Sequence, residues 1–525
     1  MRLDLFDTGI MKGEKKIIEV MDTTLRDGEQ TSGVSFNADE KLAIARLLIE
    51  ELKVNRIEVG SARVSKGERL AVEKICGWAS DSSCLEKIEV LGFVDNGISI
   101  DWISSLGGKV LNLLTKGSLK HLEGQLGKTS QEHLSDILQC VEKAVAKGLE
   151  INIYLEDWSN GMLSSPEYVY FLVDALKDTP IRRFMLPDTL GILSPERTAV
   201  FCKEMRNRYP GLHFDFHAHN DYDFAAANVY EALKAGFDGV HTTVNGLGER
   251  AGNAPVASVL GLMNDHLCLA NTLEESSLMR VCRYVETISG VRIPSNKPLV
   301  GESVFTQTSG VHADGDRKGG LYQNGLMPER FGRSRKYALG KTSGKANIAR
   351  NLEEMGISLT PEQMKLVTER VVELGDKKEN MSPEDLPFII ADVLKSGHLK
   401  EKDNIHIVNY SLQLARGMRP VATLRINILG EEYEEISAGD GQYDAFMKAL
   451  WKIYGRLGKS HPILTDYQVN IPPGGKTDAL VETAITWDFN GHTFKTRGID
   501  SDQTEAAIKA TVKMLNIIEN SDIIL

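Results

Sequence analysis

Three short segments carry side chains that could bind a metal ion and a small anion. Asp22–Gln30 reads DTTLRDGEQ, His217–Asp221 reads HAHND, and Asn245–Asn253 reads NGLGERAGN. His217 and His219 stand two residues apart, so on an extended strand both rings point to the same face. Imidazole nitrogens at that spacing can share one metal ion. Taken alone, the pair fits an ordinary polar strand end equally well.

The other two segments supply further candidate ligands. Asp27 offers a carboxylate oxygen and Asn253 an amide oxygen, whereas Arg26 offers a planar guanidinium for a carboxylate or a developing alkoxide. Separately, these segments also fit a charged turn with an internal ion pair and a common glycine-rich loop. Together, one carboxylate, two imidazoles and one amide suit Zn²⁺ or Mn²⁺, with Mg²⁺ as a third option.

A repeated pattern of strand, loop and amphipathic helix positions these segments. Over about the first 270 residues, short apolar runs alternate with i, i+3, i+4 spacing, which predicts a (β/α)₈ TIM barrel, with an open doubly wound sheet as the alternative. The three segments follow predicted strands 1, 7 and 8, which are neighbours in a closed barrel, so their ligands should converge. The predicted strands are Ile17–Val20, Arg56–Val59, Ile88–Leu91, Val110–Leu114, Ile151–Tyr154, Arg183–Leu186, His213–His217 and Gly239–Thr243.

The chain divides into three predicted regions. Residues 1–285 form the catalytic barrel, and residues 286–400 form a linker or lid region without a core of its own, with helices at Pro361–Leu374 and Pro383–Leu394. Residues 401–525 form an α+β domain with an internal repeat, because a shift of 61 positions brings Gly430 onto Gly491. Each copy predicts a βββα unit. Loops at 438–443 and 499–503 precede the two helices and could bind a ligand or simply turn the chain.

Composition excludes several classes of function. The net charge of −12 offers no basic field for nucleic acid or an anionic membrane surface. There is no apolar run long enough to cross a bilayer and no apolar signal-peptide core near the N-terminus. The six cysteines form no CxxC pair, which favours a reducing cytoplasm over a disulfide framework.

The three segments together resemble the signatures of the α-isopropylmalate, homocitrate and citramalate synthase family. GVHADG at 310–315, PPGGKTDA at 472–479 and the duplicated C-terminal unit extend the resemblance over nearly the whole chain. The resemblance implies that acetyl-CoA adds to a metal-bound 2-oxo acid and that the thioester is then hydrolysed. A metal-dependent aldolase acting without CoA and an amino-acid sensor with a decayed barrel are the alternatives.

The resemblance also implies roles for individual residues. Arg26 would stabilise the alkoxide, and Thr189 would bind the oxo-acid carboxylate. Either Glu156 or His312 would take the proton from the acetyl methyl group, and His312 with Asp314 would contribute to the acetyl-CoA site. His312 lies beyond the barrel and could come from a partner subunit.

Residues near the ends of strands 3 to 5 favour the branch of the family that uses pyruvate and makes citramalate. The segments VLGFVD at 90–95, LNLLTKGSL at 111–119 and YLEDWSNG at 154–161 resemble that branch. Leu91, Leu114 and Tyr154 would leave room for a methyl group and exclude an isopropyl group. The alternative is a 2-isopropylmalate synthase acting on 2-oxoisovalerate. The pyruvate branch implies a route to isoleucine, and the likeness of the C-terminal repeat to the family's regulatory domain makes isoleucine the expected inhibitor. The duplicated half-domains suggest a homodimer.

Overall fold

A computed structural model describes residues 17–309, 312, 315, 321–322, 324–339, 344–354, 357–376, 386, 389–390, 393, 405–470 and 481–519. The chain forms two compact units. The first runs to Phe305 and also includes Asn324–Ser334, and the second contains Thr306–Gln323 and the chain from Arg335 onward. The described residues of each unit are considered separately below.

Eight parallel strands close into a barrel in sequence order, with β1 paired to β8, so the predicted TIM barrel is confirmed. The first strand lies two residues later than predicted, because Met21 and Asp22 pair with His241 and Thr242 of β8 and extend the ladder up to the loop. The strands are β1 Glu19–Asp22, β2 Arg56–Ser61, β3 Ile88–Phe93, β4 Val110–Lys116, β5 Glu150–Glu156, β6 Ile181–Asp188, β7 Phe214–Ala218 and β8 Gly239–Thr242.

Helices pack around the barrel on apolar faces, and several begin at side-chain caps. Asn37 and Thr129 each form a capping box with a glutamate three residues later, which satisfies free N–H groups of the first turn. No helix among the described residues is long and apolar enough to cross a membrane. The principal helices are α1 Ala38–Arg46, α2 Lys66–Asp81, α3 Ile98–Ser105, α4 Ser130–Ala146, α5 Trp158–Ser164, α6 Pro166–Leu176, α7 Pro195–Arg208, α8 Ala225–Lys234, α9 Val256–Leu262 and α10 Leu278–Ser289.

Part of the barrel interior is polar, with charged side chains paired across strands. Arg56 donates to Glu89 at 2.8 Å and to Asp215 at 2.6 Å. The ring of His241 also contacts Asp215 at 3.1 Å. Buried charges are tolerated only when they are paired in this way, so these side chains form a rigid polar layer inside the barrel.

The region between the barrel and the C-terminal domain has a small apolar core, contrary to the prediction of a linker without one. Helices α11 Lys345–Glu354 and α12 Pro361–Asp376 contribute Ile348, Leu352 and Val367, which are almost completely buried. Two-residue strands, β9 Thr306–Gln307 and β10 Lys336–Tyr337, pair beside them. The sequence prediction failed because these apolar positions are spread over short helices. Most of the predicted helix at Pro383–Leu394 lies outside the described residues.

The C-terminal domain confirms the duplicated βββα unit. Gly430 and Gly491 both have positive φ, and each follows a residue with positive φ, so the two hairpins turn alike. The segment PPGGKTDA lies outside the described residues. The elements are β11 His406–Gln413, β12 Val421–Ile428, β13 Glu431–Ala438 and α13 Gln442–Arg456, followed by β14 Ile463–Asn470, β15 Val481–Phe489, β16 His492–Asp500 and α14 Gln503–Glu519.

Candidate metal and substrate site

Three of the predicted metal ligands converge at the carboxyl ends of the strands. Asp27 lies in the turn after β1, His217 lies in β7, and His219 follows that strand. Nε2 of His217 is 3.1 Å and Nε2 of His219 is 3.7 Å from Oδ2 of Asp27. Ligand atoms that each lie about 2.1 Å from one ion are separated by roughly 3–3.5 Å. The spacing therefore fits a shared divalent cation.

Two oxygen atoms of this group lack protein partners, which also fits a cation. Oδ2 of Asp27 and Oδ1 of Asn253 are buried without a hydrogen-bond partner among the described residues. The unpaired nitrogens of His217 and His219 are Nδ1, on the other side of each ring from the Nε2 atoms that face Asp27. Buried polar atoms are almost always paired, so the two unpaired oxygens call for a ligand. The backbone of Asn253 forms a bridge with that of His219, which places this residue next to the other candidate ligands.

The protonation states suit metal binding. Burial would raise the pKa of Asp27, but the charge of Arg26 and the contact with His217 outweigh it and hold the pKa well below its usual range. Burial lowers the pKa of His219 to about 4. An ionised carboxylate and neutral imidazoles are the forms that coordinate a metal ion.

Buried ion pairs fix the loop that carries Asp27. The ammonium group of Lys41, on α1, lies 2.7 Å from Glu29 and 2.7 Å from Glu68, and donates to the carbonyl oxygen of Leu25 at 2.8 Å. Lys41 is almost completely buried. The acidic residue near the end of DTTLRDGEQ, Glu29, therefore anchors the loop and takes no part in the candidate metal group.

Arg26 is oriented by Glu58 of β2. Its Nε donates to Oε2 of Glu58 at 2.5 Å, and the other oxygen of Glu58 accepts from Nδ2 of Asn112 at 2.8 Å. The guanidinium carbon lies 5.9 Å from the centre of the Tyr154 ring, and Nη1 lies 3.6 Å from Oδ2 of Asp27. The permanently charged guanidinium group of Arg26 thus lies beside the candidate metal group, where negative charge would develop on a bound substrate.

The predicted pocket residues form one apolar cluster inside the barrel. Leu91, Leu114 and Tyr154 pack together with Met21 and Met185, which the sequence reasoning missed. Leu91 and Tyr154 are at most 5% exposed, so little free volume surrounds them. Such a closed apolar wall suits a small alkyl group.

Two further predicted residues lie at the ends of strands 5 and 6. Glu156 is the last residue of β5, and its carboxylate forms an ion pair with Lys116 of β4. Thr189 follows β6, and its Oγ1 accepts a hydrogen bond from the backbone N–H of Asp157 at 2.9 Å. Both positions lie on the face of the barrel that carries Asp27 and His219.

The remaining predicted residues lie elsewhere in the chain. His312 belongs to the second compact unit, where it is exposed and its ring centre lies 4.2 Å from that of Tyr322. Asp314 lies outside the described residues. A role for either residue at the barrel site remains a proposal.

Three family models cover most of the chain. An HMGL-like model matches residues 17–285, a homocitrate synthase post-HMGL domain-like model matches residues 299–379, and a LeuA allosteric (dimerisation) domain model matches residues 380–519. An (R)-citramalate synthase of Methanocaldococcus jannaschii is 32% identical to this chain, over 96% of the chain and 100% of the relative.

The chain belongs to the isopropylmalate, homocitrate and citramalate synthase family. Membership makes it a condensing enzyme of the acyltransferase type. A protein of Methanopyrus kandleri named "Probable 2-isopropylmalate synthase" is 34% identical, over 95% of this chain and 98% of the relative. Another protein of that organism, named as a candidate (R)-citramalate synthase, is 33% identical over 89% of each chain. The similar identities do not distinguish between the two oxo acids.

Sequence reasoning missed several residues that orient the site of this family member. Glu58, Lys116 and His241 lie within strands, where a polar residue in an apolar run was the only available signal. The ring of His241 accepts or donates a hydrogen bond with the Tyr154 hydroxyl at 3.1 Å. Their partners lie 32 to 87 residues away in sequence, so no local pattern could have revealed them.

Proposed function

We propose that the chain condenses acetyl-CoA with pyruvate to give (R)-citramalate and CoA. The observation that supports this most directly is the group of Asp27, His217, His219 and Asn253 beside a guanidinium and an apolar cluster. The group and the guanidinium suit a chelating, anionic substrate, and the apolar cluster suits a methyl substituent. Pyruvate combines both properties.

Asp27, His217, His219 and Asn253 would hold the divalent ion, with Zn²⁺, Mn²⁺ and Mg²⁺ as candidates. When bound, such an ion supplies a Lewis acid that polarises the 2-oxo carbonyl group. The buried, ionised carboxylate and neutral imidazoles provide the donor set that it needs.

The neighbouring side chains would orient the oxo acid and stabilise its charge. Arg26, held by Glu58, would stabilise the negative charge that develops on the 2-oxo oxygen as the new carbon–carbon bond forms. The Thr189 hydroxyl would donate to the substrate carboxylate. Both groups are fixed before substrate arrives, which reduces the reorganisation required during the reaction.

A base must remove a proton from the acetyl methyl group so that this carbon can attack the 2-oxo carbon. Glu156 is the candidate within the barrel, and its ion pair with Lys116 fixes the position of the carboxylate. His312 is the candidate from the second unit and, with Asp314, would contribute to the acetyl-CoA site. Water then hydrolyses the thioester and releases the CoA thiol.

The pocket supports pyruvate over the larger oxo acid. Leu91, Leu114 and Tyr154 would contact the substituent at the 2-oxo carbon, and packing extra carbon atoms against such a wall costs about 1–3 kcal/mol. The second candidate is a 2-isopropylmalate synthase, which the 34% identical relative favours. Rates of thiol release with pyruvate and with 2-oxoisovalerate, at saturating acetyl-CoA, distinguish the two functions.

The C-terminal domain supports a proposal for regulation. The match to an allosteric (dimerisation) domain favours a homodimer that binds an amino-acid effector, and the pyruvate branch makes isoleucine the expected inhibitor. A two-fold interface uses the same surface from each chain. Turnover of acetyl-CoA by the purified chain would exclude an amino-acid sensor with an inactive barrel, and thiol release would exclude an aldolase acting without CoA.

A further inference from the structure

The turn after β5 contains a buried aspartate in an unusual backbone conformation. Asp157 follows Glu156, has φ of 65° and ψ of 28°, and has no exposed surface. A residue other than glycine is uncommon in this left-handed region, where aspartate and asparagine are the best tolerated. Such residues persist where surrounding contacts hold them, and they cluster at functional sites.

The two carboxylate oxygens of Asp157 contact the turn after β4 and the helix that follows Asp157. Oδ2 accepts a hydrogen bond from Oγ of Ser118 at 2.7 Å and lies 3.4 Å from Nε2 of His121. Oδ1 accepts from Nδ2 of Asn160 at 2.8 Å. Because Ser118 and His121 follow β4, the Asp157 side chain ties the turn after β5 to the turn after β4. These contacts fix the direction of the Asp157 backbone N–H.

That N–H points to Thr189 at the end of β6. It donates to Oγ1 of Thr189 at 2.9 Å. The carbonyl oxygen of Thr189 accepts from the guanidinium of Arg250 at 2.8 Å. The preceding residue, Asp188, accepts the backbone N–H of His219 at 3.3 Å. Thr189 is therefore held through both its side chain and its backbone. The residue before it, Asp188, contacts the candidate metal ligand His219.

The direction of this hydrogen bond determines what the Thr189 hydroxyl can still do. A backbone amide can only donate, so Oγ1 of Thr189 is the acceptor. The hydroxyl keeps one hydrogen to donate, and no acceptor for it is found among the residues that the structure describes. That hydrogen is available to an anionic ligand at the mouth of the barrel.

We infer that Asp157 is a positioning residue that directs the Thr189 hydroxyl toward the carboxylate of the 2-oxo acid. This inference rests on the proposed function, in which Thr189 binds that carboxylate. Asp157 acts only through Thr189, so it governs binding of the oxo acid and leaves binding of acetyl-CoA unaffected.

Steady-state kinetics of the full chain with separate variation of the two substrates tests the inference. Thr189→Val removes a hydrogen bond to a charged group and should raise KM for the oxo acid roughly ten- to hundredfold. Asp157→Ala should raise the same KM at least several-fold, with less than about a twofold change in KM for acetyl-CoA. Asp157→Asn should have a smaller effect, because asparagine tolerates the left-handed conformation and keeps one acceptor oxygen.

A double variant separates positioning from a general structural role. If Asp157 acts through Thr189, the variant carrying both Asp157→Ala and Thr189→Val should be no worse than Thr189→Val alone. Should Asp157→Ala fail to fold, Asp157→Asn takes its place in this cycle. The matched control is Ser83→Ala, because Ser83 also has positive φ, at 53°, but lies exposed in the turn between α2 and β3.

An unchanged KM for the oxo acid in the folded Asp157 variants would overturn the inference, as would losses that add in the double variant. Failure of the proposed function gives a different result, because the wild-type chain would then release no thiol from acetyl-CoA with pyruvate.

Discussion

Two of the candidate ligands share a property that buried polar residues normally avoid. Oδ2 of Asp27 and Oδ1 of Asn253 are buried without a hydrogen-bond partner among the described residues. Leaving each such atom unpaired costs about 1–3 kcal/mol. A cation bound to both oxygens would recover this cost, so removal of the metal should also destabilise the fold of the barrel mouth.

Substitution of a ligand should therefore remove metal and activity together. We expect Asp27→Ala and His217→Ala to lose bound metal, because each change deletes one coordinating atom. The rate of thiol release should fall at least about 100-fold in both variants. Metal content per chain and thiol release measure the two effects. His492→Ala, at an exposed position of β16, is the control. Wild-type turnover after exhaustive chelation would contradict the assignment.

Arg26 should contribute to turnover without contributing to metal binding. Arg26→Lys keeps the positive charge but loses the planar fork that Glu58 orients at 2.5 Å. We expect the metal content to stay the same and kcat to fall roughly 100- to 1000-fold, as for loss of one donor to a developing oxyanion. A rate close to that of the wild type would show that Arg26 is only structural.

Trimming the pocket should change the preference for the oxo acid. In Leu91→Ala, the space left inside the apolar cluster should accept an isopropyl group. We expect kcat/KM for 2-oxoisovalerate to rise relative to that for pyruvate by roughly tenfold. Leu70→Ala, on an exposed part of α2, is the matched control. An unchanged ratio would place the substituent elsewhere.

At the scale of elements, strand order was predictable because the apolar runs and helical spacings repeat. The metal ligands were predictable because their types and short spacings limit the chemistry available to them. The residues that orient the site could not be predicted, since Lys116 contacts Glu156 and His241 contacts Tyr154 only after the barrel closes. The left-handed turn at Asp157 was missed because no glycine marks it.

The end of β4 should be a source of acid sensitivity. His133 of α4 is buried and accepts the backbone N–H of Lys116 at 3.1 Å, and burial lowers its pKa to about 4. In the unfolded chain the histidine pKa is near 6.5, so the unfolded chain binds the proton at a higher pH than the folded chain does. The stabilisation by neutral His133 is therefore complete above about pH 6.5 and is lost as the pH falls toward 4.

The variant His133→Gln isolates this effect, because its amide oxygen can accept the same N–H without titrating. The drop in Tm between pH 7 and pH 4.5 should be a few degrees smaller than in the wild type. Part of the dependence of Tm on pH should persist in the variant, because burial also lowers the pKa of other histidines, including His217 and His219. An equal drop in Tm for the variant and the wild type would contradict this role of His133.

At the scale of the molecule, one chain contains a barrel and a duplicated βββα domain, and the latter matches an allosteric (dimerisation) domain model. Typical allosteric couplings are about 1–3 kcal/mol, so the effector should change affinity or rate by roughly 5- to 150-fold. We expect isoleucine to inhibit the full chain, and a chain ending near residue 404 to lose this inhibition. Titration with isoleucine and leucine provides the measurement. Inhibition by leucine alone would favour the isopropylmalate branch.

The most direct test compares thiol release from acetyl-CoA with pyruvate and with 2-oxoisovalerate, before and after removal of divalent metal. We predict rapid, metal-dependent release with pyruvate, formation of citramalate, and a rate at least about tenfold lower with 2-oxoisovalerate. A preference for 2-oxoisovalerate would contradict the interpretation of the pocket formed by Leu91, Leu114 and Tyr154. Full activity without metal would contradict the site built around Asp27, His217 and His219.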